Sequence, residues 1–312
     1  MIGCAKIRHV VATFFLVRVW AFAFISFIVL TAKPLQSAPM VAFSKEYRTI
    51  RTTHFQIHYP VEQKAIAVTV AQLAEDVHNR LEPRYQSGAQ STQIVLVFDS
   101  DLINAFATTY GMDRIILYMT APPVHDFARF NDWISQLIEH EYTHIVTLRP
   151  YNGLANILLR WISGMPPNLL AADGIAEGYA VYEESTLQGN PPTSSVGRLH
   201  DTQTLSMIDT LFLYDALPKV EEVLTGSERW PYHDIAYLFG GRLISYLRQR
   251  CGNDTMDQFF QSKVPVVFLD WRLQSLQCDS IDVVFDDFIA SEAEKSKERL
   301  LNQFEDGWSD RK

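Results

Sequence analysis

Two histidines four residues apart bracket a glutamate in an otherwise apolar stretch: His140-Glu141-Tyr142-Thr143-His144. Trp133, Ile134, Leu137 and Ile138 precede them, and Ile145, Val146 and Leu148 follow. This spacing predicts one long, mostly buried helix over residues 130–148. Imidazoles and carboxylates are expensive to remove from water without partners. The helix therefore constrains the rest of the chain, which must fold so as to bring partners to these polar groups.

Residues four apart on a helix share a face, so both imidazoles reach one metal ion. Glu141 then points toward the water that the ion activates. Zinc suits two neutral imidazoles plus one carboxylate, with a fourth position open. It lowers the pKa of water toward ~7 and polarises a carbonyl. Glu141 takes the proton as general base and passes it to the leaving amine.

The third ligand must come from elsewhere, and Glu177 is the best candidate. It lies in residues 173–184 (DGIAEGYAVYEE), where Ile175, Tyr179, Val181 and Tyr182 repeat with helical spacing. Gly178 beside it allows a close approach by another backbone or side chain. Glu184, seven residues on, shares the helical face of Glu177. It reads either as an acceptor that fixes a ligating histidine's tautomer or as part of a solvated helix end.

Strand patterns crowd the front of the chain. Residues 54–59 (HFQIHY) alternate, and residues 93–98 (QIVLVF) read as a buried strand. Residues 104–109 and 114–119 read as two more strands, with Gly111, Met112 and Asp113 as the turn. Residues 104–109 are the candidate edge strand for binding an extended peptide. Between the first two strands, residues 61–81 carry helical periodicity that Glu82 and Pro83 should close. Beyond residue 130 helices dominate. The expected class is α+β: residues 38–150 form a mixed-sheet segment with the HExxH helix, and residues 151–312 a helical segment carrying the third ligand. Residues 154–162 (LANILLRWI), with Arg160 as their one charge, are expected to pack over the core rather than rest on a membrane. Residues 292–299 (EAEKSKER) read as a solvated, charged helix end. His54, His58, His78, His125 and His200 lack ligand spacing and read as fold or surface residues.

The N-terminus has its own logic. Lys6, Arg8, His9 and Arg18 precede an uncharged, mostly apolar run over residues 19–32, and Pro34, Ser37 and Ala38 follow. Residues 1–37 thus read as a cleaved secretory signal or as an uncleaved membrane anchor. Either way the chain is expected to be exported, to a periplasmic or extracellular location, and membrane-anchored if the segment stays. With 36 acidic against 27 basic residues, the formal charge of -9 argues against nucleic acid as a partner. Of three cysteines, Cys4 lies in the N-terminal segment, which leaves Cys251 and Cys278 as a disulfide or as two buried thiols. No nucleophile elbow, P-loop or dinucleotide glycine pattern occurs.

The combination of HEYTH with residues 177–184 (EGYAVYEE) resembles the gluzincin metallopeptidases, in which a downstream Glu completes HExxH. More closely, the chain from about Tyr47 to Phe288 is similar to the peptidase MA-like domains that often precede a bacterial β-propeller. The resemblance takes in residues 53–59, 114–118, 166–170 and 237–240. It implies a zincin-like fold, zinc held by His140, His144 and Glu177, and a peptide or protein substrate. It also leaves room for a separate β-propeller partner. It further implies Tyr237, three residues before Gly240, as a donor to the tetrahedral oxyanion, with Tyr232 and His233 as nearby alternatives. Gly174 departs from the pattern, since many relatives carry Trp there. The amino-terminus-anchoring motif of the aminopeptidase branch has no counterpart. Two further functions stay open on sequence: a non-catalytic envelope binding or assembly module that keeps the fold and metal, and a zinc hydrolase of a non-peptide amide.

Overall fold

Alternation of apolar and polar residues builds the front of the molecule. In the computed structural model, which describes residues 45–101, 104–120, 133–186, 197–226, 230–231 and 234–309, five strands form one sheet. They are β1 (Tyr47–Arg51), β2 (Phe55–Pro60), β3 (Thr92–Val97), β4 (Ala105–Thr108) and β5 (Arg114–Tyr118). Their order is β1-β2-β3-β5-β4. The central pairs β2/β3 and β3/β5 are parallel, and the outer pairs β1/β2 and β4/β5 are antiparallel. Phe55, Ile57, Ile94, Leu96, Ile115 and Leu117 point into the core, as the period of two requires.

Ten α-helices occur among the described residues. They are α1 (Lys64–Tyr85), α2 (Trp133–Leu148), α3 (Gly153–Ser163), α4 (Asp173–Thr186) and α5 (Thr202–Leu213), then α6 (Val220–Thr225), α7 (Asp234–Cys251), α8 (Asn253–Asp257), α9 (Leu269–Ser275) and α10 (Ile281–Ser309). The architecture is α+β. Residues 43–312 form one compact unit, so the two expected segments share a body. The expected N-terminal targeting segment lies outside the described residues, as do His125, Tyr232 and His233. No helix among the described residues is long and apolar enough to cross a membrane.

Helix α1 connects the parallel strands β2 and β3 and buries Ala67, Val70, Ala74, Val77 and Leu81, a stripe at spacings of three and four. Pro83 does not end it; the helix runs on to Tyr85. Its last turn is tied down from outside: Arg84 forks onto Glu183 at 2.7 and 2.9 Å, and the Tyr85 hydroxyl donates to Glu183 at 2.6 Å. Gln86 then turns left-handed at φ 46°. Strand β1, which the sequence reading omits, pairs along β2 from Tyr47–Pro60 to Arg51–Gln56.

Helix α2 is the central element. It packs on α1 and β4 on one side and on α4 on the other. Every residue from Ile138 to Thr147 is buried. Thr143 and Thr147 satisfy their hydroxyls by donating to carbonyls one turn back, both at 2.7 Å. The Tyr142 hydroxyl meets His78 Nδ1 at 2.6 Å, which gives that histidine a role in the fold. Glu139 pairs with Arg80 at 3.2 Å. Burial nevertheless pushes its pKa up to about 8, against the opposing pull of Arg80.

Two further expectations fail. Helix α3 does not pack its apolar face over the core: Asn156 is its one fully buried residue, while Leu154 and Trp161 are 85% and 82% exposed. Asn156 donates to the Ser262 carbonyl at 3.2 Å and the Asn152 carbonyl at 2.9 Å, so the polar side faces inward. Residues 292–299 are not a freely solvated end either. Glu292 and Ser296 are buried, and Glu292 accepts from Arg242 of α7 at 2.6 Å. Arg299 reaches Asp209 of α5.

Cys251 and Cys278 are bonded, with Cα atoms 5.6 Å apart, and tie the end of α7 to the start of α10 across 27 residues. Loop-closure entropy makes this worth about 3.5 kcal/mol. The double variant Cys251→Ser/Cys278→Ser should lose that much in urea unfolding, with its m-value showing whether the unfolded state has expanded. Glu139 adds a pH dependence. Its folded pKa lies above the unfolded value of 4.5, so stability is fully present below 4.5 and is lost as pH rises through about 8. Glu139→Gln should therefore gain on the wild type between pH 5 and pH 9, read as a difference in urea midpoints.

Candidate metal centre

Helices α2 and α4 cross so that three side chains meet. The ligating atoms of His140, His144 and Glu177 all lie within 4.8 Å of one another. Glu177 Oε2 is 3.2 Å from His140 Nε2 and 3.4 Å from His144 Nε2. Burial works against ionisation of Glu177, but the imidazoles of His144 and His140 outweigh it and hold the carboxyl well below its usual range.

Glu184 settles the orientation of His140. Its Oε2 accepts from His140 Nδ1 at 2.9 Å, which leaves Nε2 for the centre. Of the two sequence readings for Glu184, the acceptor is the one observed. Arg198 grips the same carboxylate twice, at 2.7 Å through Nε and 2.7 Å through Nη2. That Nη2 also stands 2.9 Å from His140 Nδ1. Burial opposes the ionised form of Glu184, yet the Arg198 charge and its hydrogen bonds bring the pKa down to about 2. Burial likewise opposes a charged His140, but Glu177 and Glu184 raise it to about 9. The pocket thus favours positive charge at the point where His140, His144 and Glu177 converge. Two imidazoles and a carboxylate are also zinc's preferred donor chemistry, so the residues fit a zinc ion.

Close backbone approach makes the crossing of α4 and α7 possible. A Cβ on Gly178 would fall 2.7 Å from the Gly240 carbonyl, and one on Gly240 would fall 2.6 Å from the Gly174 carbonyl. At Gly174 itself a Cβ would lie 2.2 Å from the Val223 carbonyl. The backbone of α6 occupies the space that any side chain at 174 would need.

Helix α7 brings Tyr237 to the same place. Its ring stacks over His140 with centroids 6.2 Å apart, and the Arg198 guanidinium lies 4.9 Å above the ring. Burial raises its pKa, the Glu177 charge adds to this, and the hydroxyl is within hydrogen-bonding reach of Glu177. Glu141 is buried too, and burial raises its carboxyl despite the neighbouring His140 and His144. His140, Glu141, His144, Glu177, Glu184 and Tyr237 all line one cleft of about 710 Å³.

Three other residues of the cleft carry no sequence signal or a faint one. Arg198 belongs to no motif. Gln136 sits four residues before His140 and therefore on its face, which the helical period alone would have indicated. Both polar atoms of the Gln136 amide are buried without a partner, as is the Tyr118 hydroxyl. Residues 104–107, which take in most of strand β4, line the same cleft.

No protein-family model matches the chain, and no curated protein matches it. If the three side chains hold zinc, Glu184→Gln should weaken its binding 10- to 100-fold, the usual cost of removing the outer partner of a ligating histidine. Competition with a chromophoric chelator measures it; unchanged affinity would remove Glu184 from the site.

Proposed function

We propose that the protein is an exported zinc metallopeptidase of gluzincin type with a zincin-like fold. The convergence of His140, His144 and Glu177 beside a buried Glu141 carries this reading. Zinc held by these three ligands supplies Lewis acidity and makes water nucleophilic near neutral pH. Glu141 accepts a proton from the attacking water and returns it to the leaving amine, a role that its raised pKa favours. Tyr237, kept protonated by burial, donates to the developing oxyanion.

The position of the sheet supports a peptide substrate. Strand β4 is at an edge and antiparallel to its neighbour, and it forms one wall of the cleft that the metal ligands also line. An extended peptide can lie along such an edge through backbone hydrogen bonds, with little demand on its sequence. Gln136 and Tyr118 supply unpaired polar atoms on the same cleft, so a substrate that pairs with them relieves a desolvation cost. The disulfide supports an oxidising compartment and hence export to the periplasm or beyond.

Glu141→Gln should retain one zinc per chain and lose 10²- to 10⁴-fold in hydrolysis of a mixed peptide pool. Glu177→Ala should lose the metal itself. A Glu141→Gln protein that cleaves at the wild-type rate would overturn the assignment of the base. Wild-type protein that binds zinc but cleaves no peptide would overturn the peptidase reading.

A further inference from the structure

Helix α3 is inverted. Amphipathic helices on a folded domain turn their apolar stripe to the core, whereas α3 buries Asn156 and leaves Leu154, Ile157, Leu158, Trp161 and Ile162 more than half exposed. These five positions follow the spacing of three and four that defines one helical face. The inward side is secured by the Asn156 hydrogen bonds to Ser262 and Asn152. A single Leu can stand exposed without comment, but a contiguous apolar stripe on a helix marks a surface that meets something.

The surroundings indicate what it meets. The N-terminus of α3 abuts Lys263, whose Cβ is 2.8 Å from where a Cβ on Gly153 would stand. The segment that continues from Lys263 exposes Val267, Phe268 and Trp271. Residues 149–172 contain not one Asp or Glu; Arg149 is paired with Asp113 at 2.9 Å, so the exposed Arg160 and Lys263 are the cations that flank the apolar face. Arg160 lies over the Tyr151 ring at 5.0 Å and is itself exposed. An apolar helical face carrying Trp and Leu, beside cations and free of acid, matches the composition of helices that lie in the interface of an anionic bilayer.

The chain outside the described residues points the same way. Residues 19–32 are uncharged and apolar, behind a basic leader, and only residues 33–44 separate them from Lys45. Twelve extended residues reach about 40 Å. A chain held in a bilayer by its N-terminal segment therefore keeps this domain close to the lipid surface.

We propose that α3 is a membrane-surface docking helix, seating Leu154, Leu158, Trp161 and Ile162 in the headgroup region of an anionic bilayer. This does not depend on the peptidase reading. Full-length protein carrying Cys4→Ser and one added cysteine, either Leu158→Cys on α3 or Leu213→Cys at the exposed end of α5, is labelled with an environment-sensitive fluorophore. Both proteins are reconstituted with vesicles of phosphatidylcholine and phosphatidylglycerol at a ratio of about 3:1. Because both share the N-terminal segment, the comparison isolates the helix. Nitroxide-labelled lipid should quench the label at 158 several-fold more than the label at 213. Adding Trp161→Glu and Ile162→Glu should abolish that difference. Equal, weak quenching at both sites would overturn the proposal. A label at 158 that becomes shielded without vesicles, with increasing protein concentration, would overturn it in favour of a second copy of this chain.

Discussion

Two neighbouring carboxylates on α4, both withdrawn from water, hold the molecule together in two different directions. Glu183 reaches Arg84, Tyr85 and Arg248 and so ties α4 to α1 and α7. Glu184 reaches His140 and Arg198 and so ties α4 to α2 and to the segment before α5. Consecutive residues on a helix point about 100° apart, so one turn can serve two networks. A buried carboxylate that loses its cation keeps the desolvation cost without compensation. Neither network can be relaxed without stranding a charge, and α4 is fixed in position and rotation. Glu177 lies on the same helix, and its place opposite the two histidines follows from that fixation.

The site was legible in the sequence to the extent that it obeys helical periodicity. His140 and His144 share one helical face with Glu141 one position along, and Glu177 and Glu184 share a face of another helix, so spacing alone grouped them. Tyr237 came from resemblance, not from spacing, and the structure brings it over His140. Arg198 was invisible because its role is set by where the turn at residues 197–200 lies against α2 and α4, which no local pattern encodes. Gln136 was legible in principle and passed over, since an amide in an apolar helix reads as one polar exception.

In the fold, strands with clear alternation and helices with clear stripes were found, with ends off by a few residues. The misreadings share a cause. Pro83 is a helix breaker by local chemistry, but Arg84 and Tyr85 have partners on α4 that hold one more turn in place. Residues 292–299 look solvated by composition, but Arg242 requires a carboxylate and Glu292 meets it. In α3 the apolar stripe was real and its direction was misjudged, because hydrophobicity identifies a face without saying what that face looks toward. Each of these depends on a residue distant in sequence.

The glycine contact between α4 and α7 divides the cleft into unequal halves. Glu177 stands beside Gly178, and Tyr237 stands one turn before Gly240, so both are carried on backbones that already touch. No side chain lies between them to act as a bearing, and a shift along either helix would drive carbonyl into Cα. That half behaves as a single casting. The wall made by β4 and its neighbouring residues shows no such lock among the described residues, and ordinary substitution has room to proceed there. The two sides of this cleft can therefore diverge at different rates in descendants of the same chain.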